Sequence, residues 1–208
     1  MLQDQHGLAV STSSADAAAS LDHTILAYLK YRTDTSQHLA RTLAADPEFG
    51  LAHCLAGYFA MLSYKLANVP VAAEAARIAR SVMRKATARE LAHLEALDAW
   101  IAGDIDRTLT IWDAIVSEHP MDILAFRLAH FSNFWLGRRE AMLASVEQVF
   151  SKWGRVPFPN SRGIVVCRLA VVSPTSRRFP ARSRAMKSGV LLPWNTPFSH
   201  GMRRNWLR

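Results

Sequence analysis

Between about residues 15 and 152 the apolar residues recur on one face of a 3.6-residue period, and the recurrence is interrupted at short intervals. Leu21, Ile25 and Leu29 stand at i, i+4, i+8; Leu51, Leu55, Tyr58 and Leu62 at i, i+4, i+7, i+11; Leu94, Leu97 and Ile101 at i, i+3, i+7. Such stripes specify amphipathic helices, and a text rich in Ala and Leu with interspersed Arg and Glu suits them. Helix-ending residues cut the run. Asp46-Pro47 closes one segment, because proline lacks a donor and restricts the residue before it. Asn68-Val69-Pro70 closes another and opens the next. Gly103-Asp104 joins a stop to an N-cap, His119-Pro120-Met121-Asp122 repeats that arrangement, and Gly137-Arg138 is a further stop. The spacing predicts helices over 15–31, 35–45, 49–65, 71–86, 89–102, 105–118, 122–136 and 138–152. Turns this short make consecutive helices antiparallel, so the segments should form hairpins. No comparable run of alternating Val, Ile and Thr reads as a strand before residue 163.

The hairpins repeat. Gly103 and Gly137 are 34 residues apart, and at the same offset Leu94 matches Leu128, Trp100 matches Phe134, Trp112 matches Val146 and Ile115 matches Val149. Thirty-four residues is the tetratricopeptide period. A unit over 89–122 has its turn at Gly103-Asp104-Ile105, a small residue at Thr108, a large one at Trp112 and a closing Pro120. A preceding unit closes at Pro47, and Gly57 follows where close helix crossing wants a small side chain. A generic Ala-rich bundle would not require Gly, Trp and Pro at fixed offsets. The expected fold is therefore all-α: antiparallel helical hairpins stacked as a tetratricopeptide-repeat solenoid, each burying its apolar face against the next.

The wording of these segments also resembles the tetratricopeptide repeat protein 38 family. The stretches that carry the likeness include Tyr28-Leu29-Lys30-Tyr31-Arg32-Thr33-Asp34-Thr35, Leu51-Ala52-His53-Cys54-Leu55, Ala96-Leu97-Asp98-Ala99-Trp100 with Gly103-Asp104, and Arg127-Leu128-Ala129-His130-Phe131 with Phe134-Trp135-Leu136-Gly137. It runs over about residues 7–160, many stretches in the same order. The resemblance implies an all-helical tetratricopeptide fold, a cytoplasmic protein, and no established cofactor or reaction. It also implies a chain about twice this length, with helical repeats where this sequence turns basic.

Charge marks that departure. The whole chain carries +8. Residues 1–147 hold 13 basic and 17 acidic side chains, a net of −4, whereas 148–208 hold 12 basic and no acidic ones. The expected organisation is an N-terminal segment over 1–14, a helical repeat domain over 15–152 and a basic, irregular tail over 153–208. Arg177-Arg178, Arg182, Arg184 and Arg203-Arg204 could contact phosphates, with Trp194, Phe198 and Trp206 to stack on bases. An ordinary disordered tail is an alternative. The favoured expectation is a shifted reading frame: GC-rich coding DNA read out of frame yields Arg, Ser and Pro without hydrophobic period, and leaves a truncated copy. An array cut there would expose an apolar stacking face and self-associate. Cys54 and Cys167 make neither a disulfide framework nor a metal-ligand pattern. No window nears 18 uninterrupted apolar residues, and the first residues lack a secretory signal's pattern. The reading is a soluble, cytoplasmic protein without a cofactor or metal.

Histidine is the residue type that hints at chemistry. His53, His93 and His130 each follow Ala in the first helix of a hairpin, and His93 has Glu90 and Asp98 nearby in sequence. Their favoured role is packing and hydrogen bonding, since no tight ligand pair is present. Ser11-Thr12-Ser13-Ser14 before Asp16 favours an N-cap over a nucleophile loop. By the resemblance, the first helix of each hairpin lines a concave face. That face would present Tyr58, His93, Trp100, Arg127, Phe131 and Trp135, aromatics with Arg being typical binding hot spots. The competing place for Trp100, Phe134 and Trp135 is the core between hairpins, and Trp112 belongs to the core. The expected function is a non-catalytic scaffold that binds a peptide or protein segment on the concave face. An enzyme using the histidines and a nucleic-acid binder using the tail are the alternatives.

Overall fold

A computed structural model describes residues 1–153. The basic tail, with Cys167 and the arginines and aromatics proposed there to meet nucleic acid, lies outside the described residues. The fold is all-α, with eight helices in the described part: α1 Ala15–Leu29, α2 Thr35–Ala45, α3 Gly50–Met61, α4 Val69–Val82, α5 Ala88–Ile101, α6 Ile105–Glu118, α7 Ile123–Trp135 and α8 Arg139–Trp153. Each falls within a few residues of a segment expected from apolar spacing. The largest differences are at α3 and α4, each of which ends four residues before the expected end; α3 stops at Met61, where the chain turns at Leu62–Tyr64 into a short 3₁₀ turn, Leu66–Asn68. None of these helices is long and apolar enough to cross a membrane.

Side chains fix where the helices start. Ser14 Oγ accepts from Ala17 N at the head of α1 (3.1 Å). Thr87 and Glu90 form a capping box on α5, Asp104 caps α6 by accepting from Arg107 N, and Asp122 caps α7 by accepting from Ala125 N. Each supplies an acceptor to a backbone N–H that the first turn would leave open, worth about 1 kcal/mol per cap. The ends follow a rule too. After the first helix of each hairpin the backbone turns left-handed, at Tyr31 (φ 56°), Tyr64 (φ 51°), Gly103 (φ 83°) and Gly137 (φ 71°). At Tyr31, Gly103 and Gly137 the next N–H reaches back to a carbonyl five residues earlier, which closes the helix.

Consecutive helices pack as hairpins, α1 on α2, α3 on α4, α5 on α6 and α7 on α8, and neighbouring hairpins meet through α2 on α3, through α3 and α4 on α5, and through α6 on α7. Small residues set the closest approaches. α4 turns Ala72, Ala76 and Ala79 inward. A Cβ on Gly57 would stand 2.5 Å from Leu97 Cδ2, so glycine at this position is what lets α3 and α5 cross. The core holds Trp112 with Tyr58 and Trp100 around it, ring centroids 5.6 and 5.3 Å away in edge-on arrangements.

One element escaped the sequence reading. Leu2–Gln3 and Ala9–Val10 pair as a two-residue antiparallel ladder, Leu2 opposite Val10. Strands this short leave no period to detect. They matter because they carry residues 8–12 across the start of α5, far away in sequence.

Candidate functional site

The left-handed ends of α1 and α3 carry large side chains toward solvent. Tyr31 and Tyr64 are each 56% exposed, although a non-glycine residue costs about 1–2 kcal/mol in that conformation. Beside them α7 presents Phe134 and Trp135, 57% and 55% exposed. These groups are joined. Arg127 of α7 lies over the Tyr31 ring at 5.2 Å and over the Phe131 ring at 5.1 Å, and donates to the Tyr31 hydroxyl. Phe131 meets Trp135 at 6.0 Å and Tyr64 meets Trp100 at 6.4 Å. Between these two pairs is an open cavity of about 520 Å³ lined by Met61, Tyr64, Leu66, Trp100, Ser132 and Trp135, among others. Its wall is mainly apolar, and it opens to solvent beside the exposed rings of Tyr64 and Trp135.

The six residues expected on a concave face divide between two environments. Arg127, Phe131 and Trp135 stand on this open surface, and Trp100, though buried, forms part of the cavity wall. Tyr58 and His93 have no exposed surface, which corrects their placement. Both point between hairpins, because α3 and α5 cross so closely at Gly57 that this face of each helix is closed to solvent. The reading also missed Tyr31 and Tyr64, which follow their helices rather than sitting in an apolar stripe. A tyrosine where Gly103 and Gly137 later stand was the available signal. Trp112 is fully buried.

Tyr58 and His93 belong to a buried polar chain. Asp122 Oδ2 accepts from Arg89 Nη1 (2.7 Å) and from His93 Nε2 (3.0 Å). Tyr58 Oη donates to the His93 carbonyl (2.6 Å) and accepts from Trp112 Nε1 (3.1 Å). Arg89 Nη2 donates to the Ala9 carbonyl (3.0 Å), and the Glu90 carboxylate accepts from the N–H and hydroxyl of both Ser11 and Thr87. Burial alone would raise the Asp122 carboxyl, but the His93 imidazole and the Arg89 guanidinium against it outweigh burial and hold it well below the usual carboxylate range. The carboxylate that serves His93 thus lies 29 residues on, across a hairpin. Glu90 and Asp98, its sequence neighbours, go instead to Ser11 and Thr87 and to Arg80.

The three histidines do not converge. His53 Nε2 meets the Pro47 carbonyl at 2.8 Å, and His130 Nδ1 meets Ser145 Oγ at 3.3 Å while its Nε2 is buried without a partner. Burial, with Arg127 adding to it, brings His130 down to about 4. Among the described residues no group of three or more His, Cys, Asp or Glu is placed to hold a metal ion. The Ser-rich segment splits its work: Ser14 caps α1, Ser11 binds Glu90 and Thr12 donates to Asp46.

No family model matches this chain. No solved structure matches it either.

Proposed function

We propose that the protein is a non-catalytic helical-repeat module that binds a peptide or protein segment across the open face of Tyr31, Tyr64, Phe131 and Trp135. The observation that carries this is the continuity of those rings with the 520 Å³ apolar cavity. Water-exposed tryptophan, tyrosine and arginine are the side chains from which binding energy is usually drawn, and a cleft between helices accepts side chains of a docked segment. The polar chain of Arg89, His93 and Asp122 is shut away from solvent and is read as structural.

On this proposal the hairpins are tetratricopeptide repeats, as the resemblance to the tetratricopeptide repeat protein 38 family implies. The 34-residue spacing of the left-handed glycines Gly103 and Gly137, each ending the first helix of a hairpin, supports that assignment. A cytoplasmic setting belongs to the same proposal, and a buried free thiol at Cys54 fits it.

Selection of a displayed random-peptide library on the full chain tests the function. Enriched peptides should bind the wild type and lose about tenfold or more in affinity on Trp135→Ala, a loss of some 1.4 kcal/mol. The variant's helical circular dichroism and melting temperature should stay near wild type, because the ring is more than half exposed. Binding indifferent to Trp135→Ala would refute the assignment.

A further inference from the structure

Most arginines among the described residues meet a carboxylate, and Arg127, placed inside the aromatic face, does not. Among the described residues, Arg41, Arg84 and Arg127 are the arginines that no carboxylate meets within ion-pair distance. Arg41 and Arg84 are exposed, where water compensates the charge. Arg127 is half-buried. Its guanidinium lies against the faces of Tyr31 and Phe131 and donates to the Tyr31 hydroxyl. Those contacts hold it in place without cancelling its charge, because a ring face and a phenol oxygen are neutral. The charge acts on its surroundings: with burial, it helps keep the His130 imidazole, three residues along α7, from accepting a proton. A guanidinium has five N–H donors in a planar fork, and the shape it matches is a carboxylate.

We infer that the segment bound on this face carries a carboxylate that seats on Arg127, next to apolar side chains that fill the cavity walled by Trp100 and Trp135. The inference rests on the proposed peptide-binding role and adds the chemistry of the ligand. Phe131 connects the two parts of the site, since it stacks under Arg127 on one side and meets Trp135 on the other. A ligand with an acidic group beside an aromatic or branched aliphatic residue satisfies both. A single-stranded nucleic acid would also use stacked rings, but its phosphates call for a row of cations. Arg127 is a single guanidinium held between the rings of Tyr31 and Phe131, which suits one carboxylate.

The test uses the full chain and two random-peptide libraries, one displayed with a free C-terminus and one displayed internally. Internally displayed hits should be enriched in Asp or Glu beside an aromatic or aliphatic residue if the carboxylate is a side chain. Enrichment confined to the free-end library, with affinity lost on amidation, would assign it to the chain terminus. Representative hits are then synthesised with the acid and with its amide. On the wild type, replacing the acid by its amide should weaken binding about tenfold, as expected for a charge-assisted pair. On Arg127→Met, which keeps the aliphatic bulk, the same replacement should change affinity less than about twofold. Arg127→Lys should recover part of the preference and shows that the helix tolerates change at this position. The inference falls if hits lack acidic residues, if acid and amide differ equally on wild type and Arg127→Met, or if an oligo(dT) strand displaces the peptides at lower concentration than their own free form. Apolar peptides that bind in a Trp135-dependent way without preferring acid would overturn this inference alone. A failure to select any peptide above background would overturn the peptide-binding role along with it.

Discussion

Two tyrosines occupy a backbone conformation that glycine takes in the later hairpins. Tyr64, at φ 51°, is the simpler case, since its side chain is just over half exposed and its ring meets Trp100 at the cavity edge. Tyr64→Gly relieves about 1 kcal/mol of left-handed strain and gives up little buried area. Urea unfolding should find the variant as stable as wild type or more so, while affinity for a selected peptide drops. A stability loss above 2 kcal/mol would mean that the ring is structural. Asp22 offers a second residue-scale expectation. It is half-buried near Asp4, accepts from Gln5 N through one oxygen, and has its other oxygen buried without a partner. Burial first, and Asp4 after it, push its carboxyl up to about 6. The folded state therefore holds this proton more tightly than the unfolded chain does. The stability so gained is complete below about pH 4 and is lost as pH rises through 6. Asp22→Asn keeps the acceptor for Gln5 N and removes the charge. Its melting temperature should exceed wild type at pH 7, with the gap closing toward pH 4; a gap constant with pH would contradict this origin. His130, lowered to about 4, works the other way, contributing stability above its ordinary range that is lost as pH falls through 4.

At the scale of elements, hairpins are located by small residues and joined by charged ones. Helix propensity alone says that Gly57→Ala should stabilise α3 by about 1 kcal/mol. The crossing says otherwise: the new Cβ would meet Leu97, itself fully buried and unable to swing into solvent. A net destabilisation of about 1–3 kcal/mol is expected in denaturant titrations, and a stabilised variant would show that α3 and α5 can separate freely. Asp122 has three tasks at the start of α7, capping the helix and anchoring Arg89 and His93. Asp122→Ala leaves a buried guanidinium without its carboxylate, a loss on the order of 3–5 kcal/mol. That should be seen as a melting transition far below wild type. A shift of only a degree or two would place the worth of this aspartate in the cap alone.

Over the whole molecule, residues 8–12 act as a strap between distant parts of the chain. Ala9 and Ser11 are held by Arg89 and Glu90, about 80 residues away, and Thr12 is held by Asp46. Removing residues 1–13 takes two of the four donors from the Glu90 carboxylate. Partly satisfied buried polar groups cost about 1–3 kcal/mol each, so the shortened chain should lose on the order of 2 kcal/mol or more in denaturant titrations. Equal stability of the two chains would show that the strap is dispensable.

The sequence by itself determined the eight helices of the described part, their order and most of their ends. Those follow from local causes: a stripe of apolar residues at helical spacing, a capping oxygen such as Asp104 or Asp122, and a glycine such as Gly103 that can turn left-handed. It also showed that Arg127, Phe131 and Trp135 share a helical face. Tertiary structure alone decided which aromatic residues are covered. Trp100 and Trp135 look alike in sequence, yet a neighbouring hairpin closes over the first, and the second stays open. The same packing brought Asp122 to His93 and Glu90 to Ser11, pairings separated by 29 and 79 residues. Helical periodicity reports the environment within a few turns of a residue. It contains nothing about which distant side chain will satisfy a buried charge, because that choice is made by the crossing of whole hairpins.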